Sequence, residues 1–202
     1  MKIGPKFKIA KRLGAPIFEK TQSQKFSISA AKQGRTLKKK PGQMSDYKRQ
    51  LIEKQKMRFT YGITEKQLRR YVDEALEKSD QPVLSLVTRL EKRLDNVVYR
   101  AGLAKTRRFA RQMVSHGHIT VNGKKTTIPS YKVENDDVIA VREGSKATSL
   151  FLNFAETFET TTVPTWLSMD AKKLETKVIG VPTYTPAETL FDPEQVFEFY
   201  SR

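Results

Sequence analysis

The residues best suited to chemistry in this sequence are concentrated in one short stretch, RRFARQMVSHGHITVNG, at residues 107–123. It contains three arginines and both histidines of the chain. An imidazole can act as a general acid or base or bind a metal ion, whereas guanidinium groups bind phosphates through paired hydrogen bonds. The stretch is therefore a candidate active site, a candidate metal site or a candidate docking surface for a polyanion.

Metal binding and catalysis lack the partner residues that they need. The chain contains no cysteine, and a zinc site built on His116 and His118 would need two further ligands that no spacing nominates. No nucleophile stands at a recognisable spacing from a base. We therefore expect no catalytic residue, no metal site and no cofactor. For the two histidines, hydrogen bonding to phosphate or ribose and plain structural packing both stay open.

The charge of the chain indicates a polyanionic partner, most simply a nucleic acid. The 202 residues carry a net charge of +16. Lys and Arg outnumber Asp and Glu by 17 to 3 in residues 1–58 and by 13 to 6 in residues 89–150, whereas residues 59–88 are nearly neutral and residues 151–202 are acidic. No apolar run reaches the roughly 18 residues of a membrane helix, and no apolar segment follows the N-terminal charges as in a signal peptide. We expect a soluble, cytoplasmic protein without a membrane partner.

The N-terminal forty residues show no sustained helical or strand period, and glycines and prolines interrupt them. A basic arm that orders against a phosphate backbone is one interpretation, and a disordered solubilising tail is the other. Helical patterns begin after this arm: Ser45 is a candidate N-cap with Gly62 as the stop, and Thr64 is a candidate N-cap for the next helix. The cations of the first of these helices are either solvated surface or a continuation of the anion-binding face.

Residues 85–103 predict one amphipathic helix, because its apolar residues fall in one arc and its cations fall outside that arc. Thr106 then caps a second helix, in which the arginines and the apolar residues occupy opposite faces. Gly117 ends that helix, and Asn122-Gly123 predicts a type I′ hairpin turn. Two further strands are expected around residues 135–137. The predicted core consists of Leu94, Val97, Val98, Met113, Val114, Ile119, Val121, Val133, Val138 and Ile139.

Residues 89–143 closely resemble the S4 RNA-binding domain, a module of two helices and a small sheet. That domain also occurs in pseudouridine synthases, in a tyrosyl-tRNA synthetase and in heat-shock ribosome factors. The flanking motifs GPKFKIAKR, PGQMSDYKRQLIEKQKMRFTYGITEKQLRRY, VPTWLSMD and FDPEQVFEFYSR resemble the bacterial small-subunit ribosomal protein S4 family, in the same order and nearly end to end.

The resemblance implies an α+β fold: a basic extended N-terminal arm (residues 1–44), a helical domain (45–88, completed by 151–202) and an inserted S4 module (89–150). It also implies a primary binder of the 5′ domain of 16S ribosomal RNA that nucleates assembly of the 30S subunit. The implied neighbours are ribosomal protein S5, with which the family contributes to translational accuracy, other small-subunit proteins, and mRNA near the path by which it enters.

Motif by motif, the resemblance assigns RNA contacts to Tyr47, Gln50, Lys54, Lys56, Arg93, Arg107, Arg111, His116 and His118. Further cations expected to bind RNA are Lys2, Lys6, Lys8, Lys11, Arg12, Lys38, Lys39, Lys40, Arg49, Arg58, Arg69, Arg108 and Lys124. Many relatives bind zinc through N-terminal cysteines, but KTQSQKFSISAAKQG (residues 20–34) occupies that region here, so metal binding is not transferred.

Two other functions use the same basic surface. An RNA-modifying enzyme could grip its substrate through residues 89–150, but the rest of the chain offers no acid/base constellation for a catalytic domain. A regulator that binds messenger RNA or RNA polymerase is the second alternative. The lone Trp166 is either a platform for a base or an anchor against the helical domain, and the C-terminal aromatic residues Phe191, Phe197, Phe199 and Tyr200 are expected in the core.

Overall fold

The computed structural model describes residues 3–29, 44–148, 151, 162–186 and 189–202. Lys2, Lys38, Lys39 and Lys40 lie outside these residues. The chain forms two compact units. The helical unit comprises Met1–Leu86 with Thr185–Arg202, and the sheet unit comprises Val87–Tyr184. Helices together with one antiparallel sheet confirm the α+β class. Within the described ranges, no helix has both the length and the apolar character to cross a membrane.

Residues 24–29 are helical, and Glu19–Thr21 form a 3-10 turn. In chain order the remaining elements are α1 (Lys6–Leu13), α2 (Asp46–Tyr61), α3 (Glu65–Lys78), α4 (Pro82–Glu91), α5 (Leu94–Arg100), α6 (Arg107–Ser115), β1 (Ile119–Val121), β2 (Lys124–Lys125), β3 (Val138–Val141), α7 (Glu143–Lys146), β4 (Leu167–Asp170), β5 (Glu175–Val178) and α8 (Pro193–Tyr200).

Residues 3–29 are not the irregular arm that the sequence predicted. Ile9 and Leu13 of α1 form a buried cluster with Phe18 and Phe26. No single period reveals this cluster, because its members come from a helix, a turn and the helical segment that follows. Phe59 of α2 also packs against the cluster, so the helical unit includes part of the expected arm.

The predicted start and end of α2 and the predicted start of α3 are confirmed. The Ser45 hydroxyl accepts the backbone N–H of Lys48 at 3.4 Å. Gly62 ends α2 in the left-handed conformation with φ of 62°, which a glycine adopts without steric cost. Thr64 and Gln67 form a capping box at the start of α3. These ends depend on neighbouring residues only, which is why the sequence could place them.

The predicted single helix over residues 85–103 is wrong, because it breaks between α4 and α5. Arg93 has extended backbone angles and pairs with Lys132 in an isolated bridge. The N–H of Leu94 donates to the carbonyl oxygen of Tyr131, and the N–H of Val133 donates to that of Lys92. The break therefore lets a loop of the sheet unit satisfy backbone groups that a continuous helix would have used itself.

The sheet is antiparallel with strand order β2-β1-β3-β5-β4. The turn at Asn122-Gly123 is confirmed as type I′, since both residues have positive φ. Of the two strands expected around residues 135–137, only β3 forms, apart from the bridge at Lys132. The sheet is completed instead by β4 and β5, from residues that the sequence analysis assigned to the helical domain.

The core of the sheet unit contains nine of the ten predicted residues, and Val138 is only partly buried. The prediction missed Leu167, Leu174 and Val178, which β4, β5 and their connecting turn supply. Trp166 belongs to this cluster and is 8% exposed. The lone tryptophan therefore anchors the sheet unit, which corrects the expected anchor against the helical domain.

Candidate nucleic-acid interface

A buried carboxylate organises two arginines of the sheet unit. Asp95, in the first turn of α5, is 4% exposed. Its carboxylate accepts hydrogen bonds from Arg93 at 2.9 and 3.0 Å and from Arg111 of α6 at 2.7 and 2.9 Å. Because one carboxylate holds two guanidinium groups, this cluster keeps a net positive charge.

A second hub is centred on Glu91, the last residue of α4. The buried carboxylate of Glu91 accepts two hydrogen bonds from Arg100, at 2.9 and 3.0 Å, and one from the Asn96 amide at 2.9 Å. The Asn96 carbonyl oxygen accepts from Arg107 Nε at 2.8 Å, and the Arg107 guanidinium carbon lies 4.3 Å from the centroid of the Tyr99 ring. Arg107 is thus held between an amide and an aromatic face.

These two hubs fix a row of partly exposed guanidinium groups, which we call the arginine array: Arg100, Arg107 and Arg111. Arg107 and Arg111 are four residues apart and therefore lie on one face of α6. An arginine that is already oriented loses less conformational entropy when it binds a phosphate. Arg108, on the same helix, is exposed. The arrangement suits recognition of a sugar-phosphate backbone.

The two histidines occupy different environments. His116 is exposed at the C-cap of α6. His118 Nδ1 lies 3.0 Å from the hydroxyl oxygen of Ser145, which is buried in α7, so His118 has a structural contact. No group of three potential metal ligands occurs in the parts of the chain that the structure covers. Lys124 of β2 is exposed.

The predicted contacts on α2 divide into exposed and buried residues. Tyr47 and Arg49 are exposed, and Lys56 pairs with Glu53 at 2.7 Å. Gln50 is 4% exposed and Lys54 is 6% exposed. Helix α8 supplies partners to both buried side chains, which are therefore turned into the protein instead of towards solvent.

The buried residues of α2 hold α8 in place. The Gln50 amide donates to Glu198 at 2.8 Å. The Lys54 ammonium nitrogen lies 4.1 Å from the centroid of the Phe199 ring and donates to Glu65 at 2.8 Å. The sequence could not reveal this role, since Glu198 is 148 residues away from Gln50 along the chain.

Three groups converge on the carboxylate of Glu65. It accepts from Lys54, from the Tyr200 hydroxyl at 2.7 Å and from Arg58 at 3.4 Å. Burial by itself would raise the pKa of Glu65, but the hydrogen bonds from Lys54 and Tyr200 and the nearby positive charges lower it below its ordinary value of 4.5. For Tyr200, burial and donation to the Glu65 carboxylate both raise the pKa well above 10.

The raised pKa of Tyr200 makes the docking of α8 sensitive to alkali. The unfolded chain loses the Tyr200 proton near pH 10, the ordinary value, whereas the folded chain keeps it. The stabilising contribution should therefore be complete below about pH 10 and fall as the pH rises further. We expect Tyr200→Phe to lower the free energy of unfolding by about 1 kcal/mol at neutral pH and to flatten its decline between about pH 9 and 11. Urea unfolding followed by far-ultraviolet circular dichroism measures both effects. If the free energy of unfolding of wild type and of Tyr200→Phe declined in parallel with pH, Tyr200 would not be the source of the sensitivity to alkali.

The remaining predicted cations of the helical unit lie on α1 and α3. Lys8 and Arg12 are exposed, Lys6 lies 5.6 Å from the centroid of the Phe18 ring, and Lys11 donates to the Ser29 hydroxyl at 2.7 Å. A last cation, Arg69 of α3, is exposed and lies 3.9 Å from Asp73.

Three of the predicted contact residues lie in the interior of the protein: Gln50, Lys54 and Arg93. Arg93 is 3% exposed, although the helical period placed it on the solvent side. Its burial follows from the helix break and from its ion pair with Asp95. Sequence reasoning also missed Arg100 and the polar residues that orient the array. Asp95 and Asn96 fall outside the apolar arc of the predicted helix, so the helical period gave no signal for their role.

Two family models together cover residues 1–139 of the chain. The model described as the ribosomal protein S4/S9 N-terminal domain matches residues 1–91, and the model described as the S4 domain matches residues 92–139. The small ribosomal subunit protein uS4 of Persephonella marina is 42% identical over 201 residues, and that of Mycobacterium sp. (strain KMS) is 44% identical over 200 residues; each alignment covers 98% of both chains. The corresponding protein of Roseiflexus castenholzii is 43% identical and covers 99% of this chain.

Proposed function

Because the chain belongs to the small ribosomal subunit protein uS4 family, we propose that it binds the 5′ domain of 16S ribosomal RNA and nucleates assembly of the 30S subunit. Members of this family are structural constituents of the small subunit, not catalysts. We further propose that the protein acts in the cytoplasm, lies next to ribosomal protein S5 and other small-subunit proteins near the path by which mRNA enters, and contributes with S5 to translational accuracy.

The observation that carries the RNA-binding part of this proposal is the arginine array. Glu91 holds Arg100, Asp95 holds Arg111, and the Asn96 amide holds Arg107, so that the array is ordered before any RNA binds. In A-form RNA the major groove is too narrow for side chains to read, and recognition relies on shape, phosphates and 2′-hydroxyl groups. A pre-ordered row of arginines suits this kind of recognition.

The helical unit supplies a second set of cations. Lys8 and Arg12 of α1 and Arg49 of α2 are exposed. We propose that the two units bind different helices of the 5′ domain, so that the protein fixes the angle between these helices. The exposed cations of the two units would then act together on one RNA. The affinity for this RNA should fall steeply as the salt concentration rises.

Sedimentation of a cell lysate tests the proposed function. We expect the protein to co-migrate with small subunits in a one-to-one ratio at moderate salt. A regulator of messenger RNA or RNA polymerase, or an RNA-modifying enzyme, would remain mostly in the free fraction. Filter binding then tests the RNA specificity: a transcript of the 5′ domain should bind more tightly than a transcript of the 3′ domain. Equal affinity for the two transcripts would contradict the assigned binding domain.

A further inference from the structure

A groove of about 380 Å³ runs between α1 and α2 of the helical unit. Its wall on α2 is formed by residues three or four positions apart, among them Lys48, Leu51, Gln55 and Arg58, which places them on one face of the helix. This face differs from the one that α8 covers, which carries Gln50 and Lys54. The groove is therefore a separate site of the helical unit, and the docking of α8 does not use it.

The floor of the groove is apolar and partly aromatic. Leu51 and Phe59 of α2 and Leu13 of α1 line it. The Phe59 ring is held by an edge contact with Phe18, with 6.1 Å between the ring centroids. The Arg58 guanidinium carbon lies 4.8 Å from the Phe59 centroid. The floor thus offers a rigid surface on which a flat ring can stack.

The rim of the groove is cationic on both walls. Arg12 stands on α1, and Lys48 stands on α2. Both are exposed, and neither forms an ion pair within the described residues. Arg58 Nε is buried and has no hydrogen-bond acceptor among the described residues. A buried N–H group without an acceptor is unfavourable, so a ligand that supplies an acceptor at Arg58 would gain affinity.

We propose that this groove takes one unpaired nucleotide of the bound RNA, with the base on the apolar floor and the flanking phosphates at Arg12 and Lys48. The inference rests on the proposed RNA-binding function and adds a specific site to it. Proteins recognise unstacked bases of RNA by stacking them on aromatic rings and guanidinium planes. The base edge would then accept a hydrogen bond from Arg58 Nε.

The chemistry of the groove favours a nucleotide over other occupants. A purely apolar side chain would leave the Nε–H of Arg58 without an acceptor. A bare phosphate would leave the aromatic floor uncovered. A nucleotide combines a flat ring, hydrogen-bonding edges and negative charge on either side. Stacking of this kind is tolerant of base identity, so the proposal concerns an unpaired nucleotide in general and no particular base.

Filling the groove tests the proposal. We expect Gln55→Trp, which places an indole over the floor, to weaken binding of the 5′-domain transcript about tenfold, within the range found for base-stacking side chains. Gln55→Ala is the matched control: it removes the amide but leaves the groove open, and should bind within about threefold of wild type. Circular dichroism checks that both variants fold. Equal affinity of the two variants would overturn the proposal.

Crosslinking locates the nucleotide. Transcripts that contain 4-thiouridine or 6-thioguanosine are bound to the full-length protein and irradiated. The crosslinked peptides are then identified by mass spectrometry. We expect crosslinks within residues 48–59, lost in Gln55→Trp and kept in Gln55→Ala. Crosslinks of both thio-nucleotides confined to other parts of the protein, with wild-type affinity in Gln55→Trp, would refute the site.

Failure of this inference and failure of the proposed function give different results. If the wild-type protein binds the transcript and Gln55→Trp binds it equally well, only the nucleotide site is wrong. If the wild-type protein shows no preference for the 5′-domain transcript, the proposed function is wrong, and the same pair of Gln55 variants is then compared on total cellular RNA. Saturable binding of free AMP or UMP to the wild-type groove, with no effect of Gln55→Trp on RNA affinity, would assign it to a free nucleotide and overturn the RNA strand as its occupant.

Discussion

Replacing Asp95 with asparagine should lower the free energy of unfolding of the sheet unit by about 3 kcal/mol, because removal of one partner from a buried ion pair leaves an uncompensated charge in the interior. Arg93 depends most on this carboxylate, since its side chain is only 3% exposed. The side chain of Arg111 is 28% exposed and can turn towards water, which keeps the loss near the lower end of the range for buried pairs. The fluorescence of Trp166, the only tryptophan and part of this core, reports unfolding of this unit specifically.

The matched control is Asp136→Asn, which makes the same chemical change in the same unit. The Asp136 carboxylate pairs with Lys177 at 2.9 Å, but its side chain is 81% exposed. Exposed pairs contribute about 0–1 kcal/mol, so this variant should unfold almost like wild type. If both variants lost stability equally, the two-arginine hub would not be an important source of stability.

Local signals were sufficient to predict several helix caps and one hairpin turn of this fold. The end of α6 at Gly117, with φ of 74°, and the type I′ turn at Asn122-Gly123 both depend on conformations that few residue types adopt readily. The apolar arc of α6 likewise placed Met113 and Val114 in the core correctly. In each case the deciding interaction lies within a few residues along the chain.

The features that the sequence did not predict depend on distant partners. The break at Arg93 exists because a loop some forty residues later takes over its backbone hydrogen bonds. Strands β4 and β5 are four residues each and pair with each other. Their link to the rest of the sheet is the pairing of β5 with β3, which lies much earlier in the chain. A periodic pattern indicates which face of an element is apolar, but it does not indicate which residues pack against that face.

The same distinction separates the two kinds of predicted site residue. Arg107 and Arg111 lie on the polar face of α6, as their spacing indicated. Arg93 also lies outside the apolar arc of its predicted helix, and Lys54 was grouped with the exposed cations of α2. Both are nevertheless buried, because a lysine or arginine enters the interior when an acidic or aromatic partner meets it there. The partners are Glu65 with Phe199 for Lys54, and Asp95 for Arg93. Only the fold brings these groups together.

The acidic residues of a basic RNA-binding module therefore have an ordering role. Glu91 and Asp95 reduce the positive charge of the surface, which by itself would weaken its attraction to phosphates. They offset this by holding guanidinium groups in place, so that less conformational entropy is lost when RNA binds. The structure accordingly predicts which arginines matter most for RNA affinity: those that an acidic or amide group orients.

The double substitution Arg107→Ala with Arg111→Ala should weaken binding of the 5′-domain transcript on the order of 10- to 100-fold, with about 1 kcal/mol or less lost from the stability of the fold. The fold should persist because Asp95 keeps Arg93 as a partner and Asn96 keeps its hydrogen bond to Glu91. If each arginine neutralises one phosphate, the slope of log affinity against log salt should become shallower by about 1.4 to 1.8. Filter binding across a salt series measures the affinity and the slope together.

The control removes two positive charges elsewhere in the sheet unit. Lys172 and Lys173 are exposed in the turn between β4 and β5, and no buried acidic residue orients them. Lys172→Ala with Lys173→Ala therefore matches the loss of charge without disturbing an ordered array, and should reduce affinity by a factor of about three or less. If the two double variants lost equal affinity, net charge alone would account for binding. A larger loss in the arginine variant, at equal charge and with the fold intact, would instead show that position and orientation decide the affinity, because the two proteins differ in little else.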